Sequence, residues 1–419
     1  MRLESVLTDV SPDDSHSLRT TAIISSATES TVSLWVEYPP ELAEGTSQSA
    51  NPWVVAMLPA AATRAEHVFA DLPVDPVLHE NLRGVSATWS LWYPQLGQAQ
   101  INAPYSSCRS EKGSRTGTFF SGGVDSFFSI ARRLPGNSFG IPAVGSLDDL
   151  VTVWGFDVGV NDVESFKPLA AALNEAAQAI GRPHWIVRTN LRQVLAEFRR
   201  NWGPLTFGAG LAFIALFFER RFSEFVIGSS YPFGALVPWG SHPLVDPLFS
   251  SSSLRVVHDG APFGRLEKTR TIGRWPLTGR FLHVCQGSGP TNCSACEKCL
   301  RTMATIDVLG LKERYAHSFD WRHYGPHEVS SLFVGAGPGT TFYKEIIDEA
   351  QRVGREDISR AVNAAIRRSR RLAPLMSACH AMLKVPLIYR LGLYGEAQIL
   401  RGMRSARYID HSQSSKNRE

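Results

Sequence analysis

Long apolar runs are scarce in this chain, and their scarcity sets the first bounds. The longest, Leu205 to Phe218, suits a buried core helix and falls short of the roughly 20 residues that cross a bilayer; Glu219, Arg220 and Arg221 follow it at once. No membrane crossing is expected. The first ten residues hold Arg2, Glu4 and Asp9 and lack the apolar centre of a secretory signal, so a cytoplasmic protein is expected. Net charge is small as well: 43 basic against 39 acidic side chains leave +4, which attracts polyanions weakly and gives no ground for nucleic-acid binding. A Walker-type phosphate loop is excluded, because no GxxxxGKS or GxxxxGKT run occurs. Cysteine is rare, six in 419 residues, but its distribution is uneven.

What is present is the balance of an ordinary folded chain, 43% apolar and 20% charged, long enough for two or three compact domains. Residues 1–105 carry β-rich runs at Thr31 to Tyr38, Trp53 to Met57 and Val85 to Tyr93, separated by turn-rich segments such as Pro39 to Pro52. These predict a mostly β N-terminal domain. The polar stretch 106–115 reads as a linker. From 116 to 310 the pattern alternates: strands at Gly117 to Phe120, Leu150 to Asp157, His184 to Arg188 and Glu224 to Ile227, with helices at Ser126 to Leu134, Val163 to Ile180 and Gly210 to Arg221. That succession predicts an α/β domain with a parallel sheet, helices on both faces and ligands at the carboxyl ends of the strands. Residues 311–419 read as a helical extension, clearest at Tyr343 to Val353 and Arg355 to Arg371, with a frayed tail from about Asp410. The basic run Arg367, Arg368, Arg370 and Arg371 is read as a solvated helix face.

The richest stretch chemically is Ser121-Gly122-Gly123-Val124-Asp125-Ser126, which joins the first strand of the α/β region to its first helix. Two glycines let the backbone turn sharply and approach a ligand, while N–H groups at the helix start point to one anion-favouring spot. Ser121 and Ser126 add hydroxyl donors. Asp125 can cap the helix or hold Mg²⁺ on bound phosphates. The plain alternative is a capped turn that binds nothing.

Four of the six cysteines, Cys285, Cys293, Cys296 and Cys299, fall within fifteen residues. Two successive CxxC steps can direct sulfurs to one point, and tetrahedral Zn²⁺ takes four thiolates; with all four positions filled, such a metal is structural. An iron–sulfur cluster and reduced cysteines packed in a core are the alternatives. Cys108 and Cys379 stand alone and read as small buried residues.

The SGGVDS run resembles the signature, SGGxDS, of the pyrophosphatase-loop ATP enzymes. A CxxCxxC knot running into a Leu-Arg helix, placed behind an SGGxDS domain, is similar to the 7-cyano-7-deazaguanine synthase (QueC) family over about Thr116 to Gly310. The resemblance implies an adenine-nucleotide alpha-hydrolase-like parallel sheet in which the loop holds the outer phosphates of ATP, with Mg²⁺, as leaving pyrophosphate. A carboxylate oxygen then attacks the α phosphorus, and a nitrogen nucleophile displaces AMP. On this reading Ser121 and Asp125 serve the chemistry, and Ser121 to Ser126 bind nucleotide. Phe156 and Asp157 lie where adenine and ribose contacts belong, with core packing and turn capping as the alternatives for them; Arg188, Thr189 and Asn190 mark the next strand edge. Arg265 and Lys268 in RLEKT resemble a short helix whose lysine neutralises phosphates, against a solvated helix face.

Asp246 is a candidate substrate contact, and His242 is read as a loop histidine. The substrate stretch of the deazaguanine enzyme reads like YPDCRPEF, whereas this chain has YPFGALVPWGSHPLVDPLF, so base-recognition residues do not carry over. The added N- and C-terminal segments make the chain look more like longer QueC-like proteins of bacterial phage-defence operons, which carry such additions. This implies either a small carboxylate or modified-base substrate, or a partner protein from the same operon. Transfer-RNA thiolation and a nucleotide-binding scaffold are the competing readings.

Overall fold

Ten strands and thirteen α-helices follow one another in a computed structural model that describes residues 1–27, 31–106, 112–136, 139–285, 291–335 and 339–383, with backbone alone for 374–383. The expected linker therefore lies partly outside the described residues. Cys108 and the tail from Asp410 lie wholly outside them, and Cys379 falls where only backbone is described. Contacts divide the chain into two units, Met1–Ser121 with Asp125–Pro262, and Gly122–Val124 with Phe263–Glu419.

The first unit is built on one sheet. Its strands are β1 (Arg2–Val10), β2 (Leu18–Ser25), β3 (Val32–Tyr38), β4 (Val68–Ala70), β5 (Ile101–Asn102), β6 (Arg115–Phe119), β7 (Asp149–Trp154), β8 (His184–Thr189), β9 (Phe222–Gly228) and β10 (Arg255–Asp259). They lie in the order β10-β9-β6-β7-β8-β3-β2-β1-β4-β5. From β10 to β8 all neighbours are parallel, an arrangement compatible with a Rossmann-like fold. The crossover helices α3 (Val124–Ala131) and α4 (Val163–Ile180) follow β6 and β7. α4 begins where Asp162 accepts from the Ser165 N–H at 3.1 Å and ends at Gly181, φ 73°, as capping requires.

Residues 1–105 do not form a sheet of their own. β3 continues the parallel sheet by pairing antiparallel with β8, Val36 opposite Thr189 and Glu37 opposite Arg188, and β3, β2 and β1 follow as an antiparallel meander. Two expected strands are helices. Trp53 to Met57 lies in α1 (Asn51–Arg64), whose residues from Asn51 to Ala62 are all buried; a segment covered on every side shows no amphipathic period, so a short apolar piece of it reads like a strand. Val85 to Tyr93 overlaps α2 (Pro76–Trp92), where Asp75 accepts from the N–H groups of Val77 and Leu78 and the buried positions are Leu78, Leu82, Val85, Ser86 and Trp89. That spacing is helical.

Two short helices, α5 (Leu191–Val194) and α6 (Ala196–Arg200), lead to α7 (Phe207–Phe217), buried from Gly208 to Phe217. The longest apolar run is thus a core helix. Its Phe213 and Phe217 rings meet Trp53 at 5.5 and 5.9 Å, and Phe217 meets Tyr38 at 5.4 Å; each such ring contributes roughly 1.5–3 kcal/mol by leaving water.

The second unit is helical: α8 (Arg265–Ile272), α9 (Thr278–Phe281), α10 (Glu297–Val308), α11 (Pro326–Ser330), α12 (Thr340–Arg352) and α13 (Glu356–Leu383). Arg270 pairs with Glu349 at 3.0 Å across α8 and α12, and Tyr343 donates to Glu297 at 2.7 Å across α12 and α10. On α13, Arg367, Arg368, Arg370 and Arg371 are exposed, as expected. No helix among the described residues is long and apolar enough to cross a membrane.

Candidate functional site

β6 delivers the chain to the SGGVDS turn at the carboxyl end of a strand flanked on both sides by parallel neighbours, β9 and β7. Phe120 is 1% exposed and its N–H donates to the Val151 carbonyl at 2.8 Å, extending the ladder by one bond; Ser121 is exposed. Gly122 turns the backbone with φ 74°, a value that suits glycine. Val124, 2% exposed, opens α3, so Asp125 and Ser126 stand in its first turn. In the first unit, β9 ends against that turn: a Cβ at Gly228 would lie 3.2 Å from the Asp125 carbonyl oxygen.

α3 is fixed from below by buried ion pairs to the end of β10. Arg132 and Arg133 reach the two oxygens of Asp259 at 2.6 and 3.1 Å, and all three side chains are buried. In the second unit, the Gly122 carbonyl accepts from the His283 N–H at 2.8 Å.

The four-cysteine cluster is the best-defined candidate metal centre. One ligand atom each from Cys285, Cys293, Cys296 and Cys299 lie within 4.8 Å of one another, with Sγ–Sγ distances of 3.9 Å for Cys285–Cys296 and for Cys293–Cys299. Such a set can hold a metal ion. Cys296 is the N-cap of α10 and Cys299 sits in its first turn, where the helix dipole favours thiolate. Contacts from the Cys285, Cys296 and Cys299 thiols hold Cys293 far below the ordinary thiol range, and contacts from Cys285, Cys293 and Cys296 push Cys299 up.

Cys285 and Cys293 are joined by Asn292, which is 8% exposed. Its Oδ1 accepts from the N–H groups of Val284 and Cys285 at 2.8 and 3.1 Å, and its Nδ2 donates to the carbonyls of Leu282 and Ser318 at 2.7 and 2.9 Å. Ser294, φ 55°, accepts from the Asp320 N–H at 2.8 Å. Sequence reasoning overlooked Asn292; its place beside Cys293 was the only signal.

Several of the other expected site residues lie at or just after the ends of β7 and β8. Phe156 is 6% exposed and packs on Trp202 at 4.8 Å, the core alternative, whereas Asp157 is exposed. Thr189 and Asn190 serve the sheet rather than its edge: Thr189 donates to the Trp35 carbonyl at 2.7 Å, and Asn190 accepts from the Trp35 N–H at 2.9 Å and donates to the Ser33 carbonyl at 2.8 Å. Arg188 lies 4.5 Å from the Trp154 ring and pairs with Asp13 at 3.0 Å.

Asp246 is fully buried. It accepts from the Ser241 hydroxyl at 2.7 Å, the His242 N–H at 3.1 Å and His258 Nδ1 at 2.7 Å; with both oxygens engaged below the surface, it braces its own loop instead of meeting a substrate. His242, 5% exposed and edge-on to Trp92 at 4.8 Å, is a packed loop histidine whose pKa is lowered by burial.

On α8, Lys268 is 2% exposed, so the solvated-face reading does not hold for it, and Arg265 lies 5.2 Å over the Phe342 ring. The N-terminus of α8 is taken by Glu345, which accepts from the Leu266 N–H at 2.7 Å and whose carboxyl is raised by burial. The chain matches no protein-family model, no curated protein and no solved structure.

Proposed function

We propose that this chain is a QueC-like, ATP-dependent synthetase that adenylates a carboxylate-type substrate, releases pyrophosphate and lets a nitrogen nucleophile displace AMP. The observation that carries the reading is the SGGVDS turn, left-handed at Gly122, between a central parallel strand and the buttressed helix α3. N–H groups at such a turn and helix start suit the outer phosphates of ATP. Ser121 donates a hydroxyl and Asp125 holds Mg²⁺, so the protein works by positioning and electrostatics.

The metal is read as structural zinc on Cys285, Cys293, Cys296 and Cys299. A tetrahedral ion with Zn–S of about 2.3 Å separates its sulfurs by about 3.8 Å, close to the 3.9 Å found twice here. All four sulfurs lie within 4.8 Å of one another, whereas thiolates on different irons of an iron–sulfur cluster stand farther apart; this weighs against thiolation chemistry.

Purified protein given ATP, Mg²⁺ and candidate acids with ammonia or an amine, with and without its operon neighbours, is expected to release pyrophosphate and AMP. Asp125→Ala and Ser121→Ala are expected to lower the rate at least ~100-fold while folding normally. Release of orthophosphate alone overturns the reading, and full biological function in both variants favours a nucleotide-binding scaffold.

A further inference from the structure

We propose that Asn174, His184 and Thr152 form a positioning relay across the sheet, which fixes the carbonyl of Phe120 and thereby the path of the chain into Ser121. Its bearing on nucleotide binding rests on the function proposed above; its bearing on the turn does not.

Three side chains on three neighbouring elements make the relay. The Phe120 carbonyl, the last before the turn, accepts from the Thr152 hydroxyl on β7. Thr152 Oγ1 lies 2.7 Å from His184 Nε2 on β8, and His184 Nδ1 lies 2.5 Å from Asn174 Oδ1 on α4. Thr152 is 6% exposed, and the His184 ring stands edge-on to Phe120 at 5.8 Å.

Counting protons fixes the direction. A threonine hydroxyl has one proton, and a carbonyl can only accept, so that proton goes to Phe120 and Thr152 must accept from His184 Nε2–H. The neutral ring then presents a bare Nδ1, and a half-turn of the Asn174 amide brings its nitrogen to donate there in place of Oδ1. Were the ring charged, Asn174 Oδ1 would accept from Nδ1–H without that turn. Both states leave the Thr152–Phe120 bond intact, so the relay holds the turn without consuming the proton it carries. Burial keeps the neutral state dominant, with the His184 pKa lowered to about 4.

Nitrogen-15 NMR of the wild-type imidazole at pH 7 is expected to show the Nε2–H tautomer at His184; the Nδ1–H tautomer overturns the relay and requires no variant. Hydrogen exchange supplies the second reading. Thr152→Val and His184→Phe preserve shape and are expected to speed exchange in the peptide covering residues 120–126 by about tenfold or more, while Thr152→Ser leaves it as in the wild type. Unchanged exchange in both Val and Phe variants overturns the proposal, as does equal acceleration across the distant β1–β2 hairpin, which marks general loosening.

In the pyrophosphate assay the same two variants are expected to raise the KM for ATP more than they lower kcat, since the turn is displaced and no reacting group is lost. A wild type that releases no pyrophosphate but shows the expected tautomer and exchange sinks the enzymatic reading and leaves the relay standing. Pyrophosphate release with unaltered KM in both variants does the reverse.

Discussion

Replacing Asn292 with alanine should loosen the metal centre without touching a ligand. The amide makes four hydrogen bonds to backbone groups, two on the segment that carries Cys285, one at Leu282 and one at Ser318. At about 1 kcal/mol net for each bond, their loss amounts to about 4 kcal/mol. Val284 and Cys285 are half-buried, so water recovers part of it.

What reaches the metal is the freedom given to the Cys285 arm, and loss of an outer-shell partner commonly costs 10–100-fold in affinity, or about 1.4–2.7 kcal/mol. Competition for Zn²⁺ against a chromophoric chelator should therefore show a Kd raised 10–100-fold. Cobalt substitution should show weaker thiolate charge-transfer absorption as Cys285 detaches. Asn292→Asp keeps the acceptor for the two N–H groups but turns a second oxygen toward the Leu282 and Ser318 carbonyls, so it should bind metal no better than the alanine variant. Wild-type affinity together with an undiminished cobalt spectrum in Asn292→Ala would refute the reasoning.

Two further substitutions probe the sheet and its buried charge. Gly155 has φ 112°, and a Cβ there would lie 2.0 Å from the Thr189 carbonyl oxygen; Gly155→Ala is expected to cost about 3 kcal/mol or more in urea unfolding, and a loss below about 1 kcal/mol would count against the close approach of β7 to β8. Glu219, 1% exposed, accepts from Ser47, Ser49 and Asn51, yet burial raises its carboxyl above 4.5. A carboxyl that binds its proton more tightly when folded adds stability in full below its unfolded value, and that stability is lost as pH rises through the folded value. Relative to Glu219→Gln, the wild type should lose denaturant resistance as pH rises above 4.5; parallel curves would show that no such linkage exists.

The sequence was legible where the interactions that shape it are local. β6, the SGGVDS turn, α3, α4 and β8 follow from alternation, glycine and caps, each settled within a few residues. The cysteine knot follows likewise, because two CxxC steps already bring sulfurs to one point. β10 and the β1–β2 hairpin left no comparable mark: β1 exposes most of both faces, Leu7 at 65% and Val10 at 60% among them, so no alternation announces it. α2 was announced by Asp75 with Pro76 and by its apolar spacing, and the aromatic and β-branched residues around Trp89 misled the reading.

The pairing of β3 with β8 could not be read at all, since it joins residues about 150 positions apart and depends on Thr189 and Asn190, which resemble ligand-facing residues at a strand end. The same confusion explains Asp246: a loop acid after a parallel strand is a reasonable substrate contact until Ser241, the His242 N–H and His258 are seen to take both its oxygens. A polar residue at a sheet edge thus has two uses, binding a ligand or holding the next piece of chain, and its type does not distinguish them. Its partners do, and those lie far away in sequence. The SGGVDS turn shows both kinds of information: its glycine and helix start are local, while Thr152 and His184, which hold the carbonyl before Ser121, come from β7 and β8.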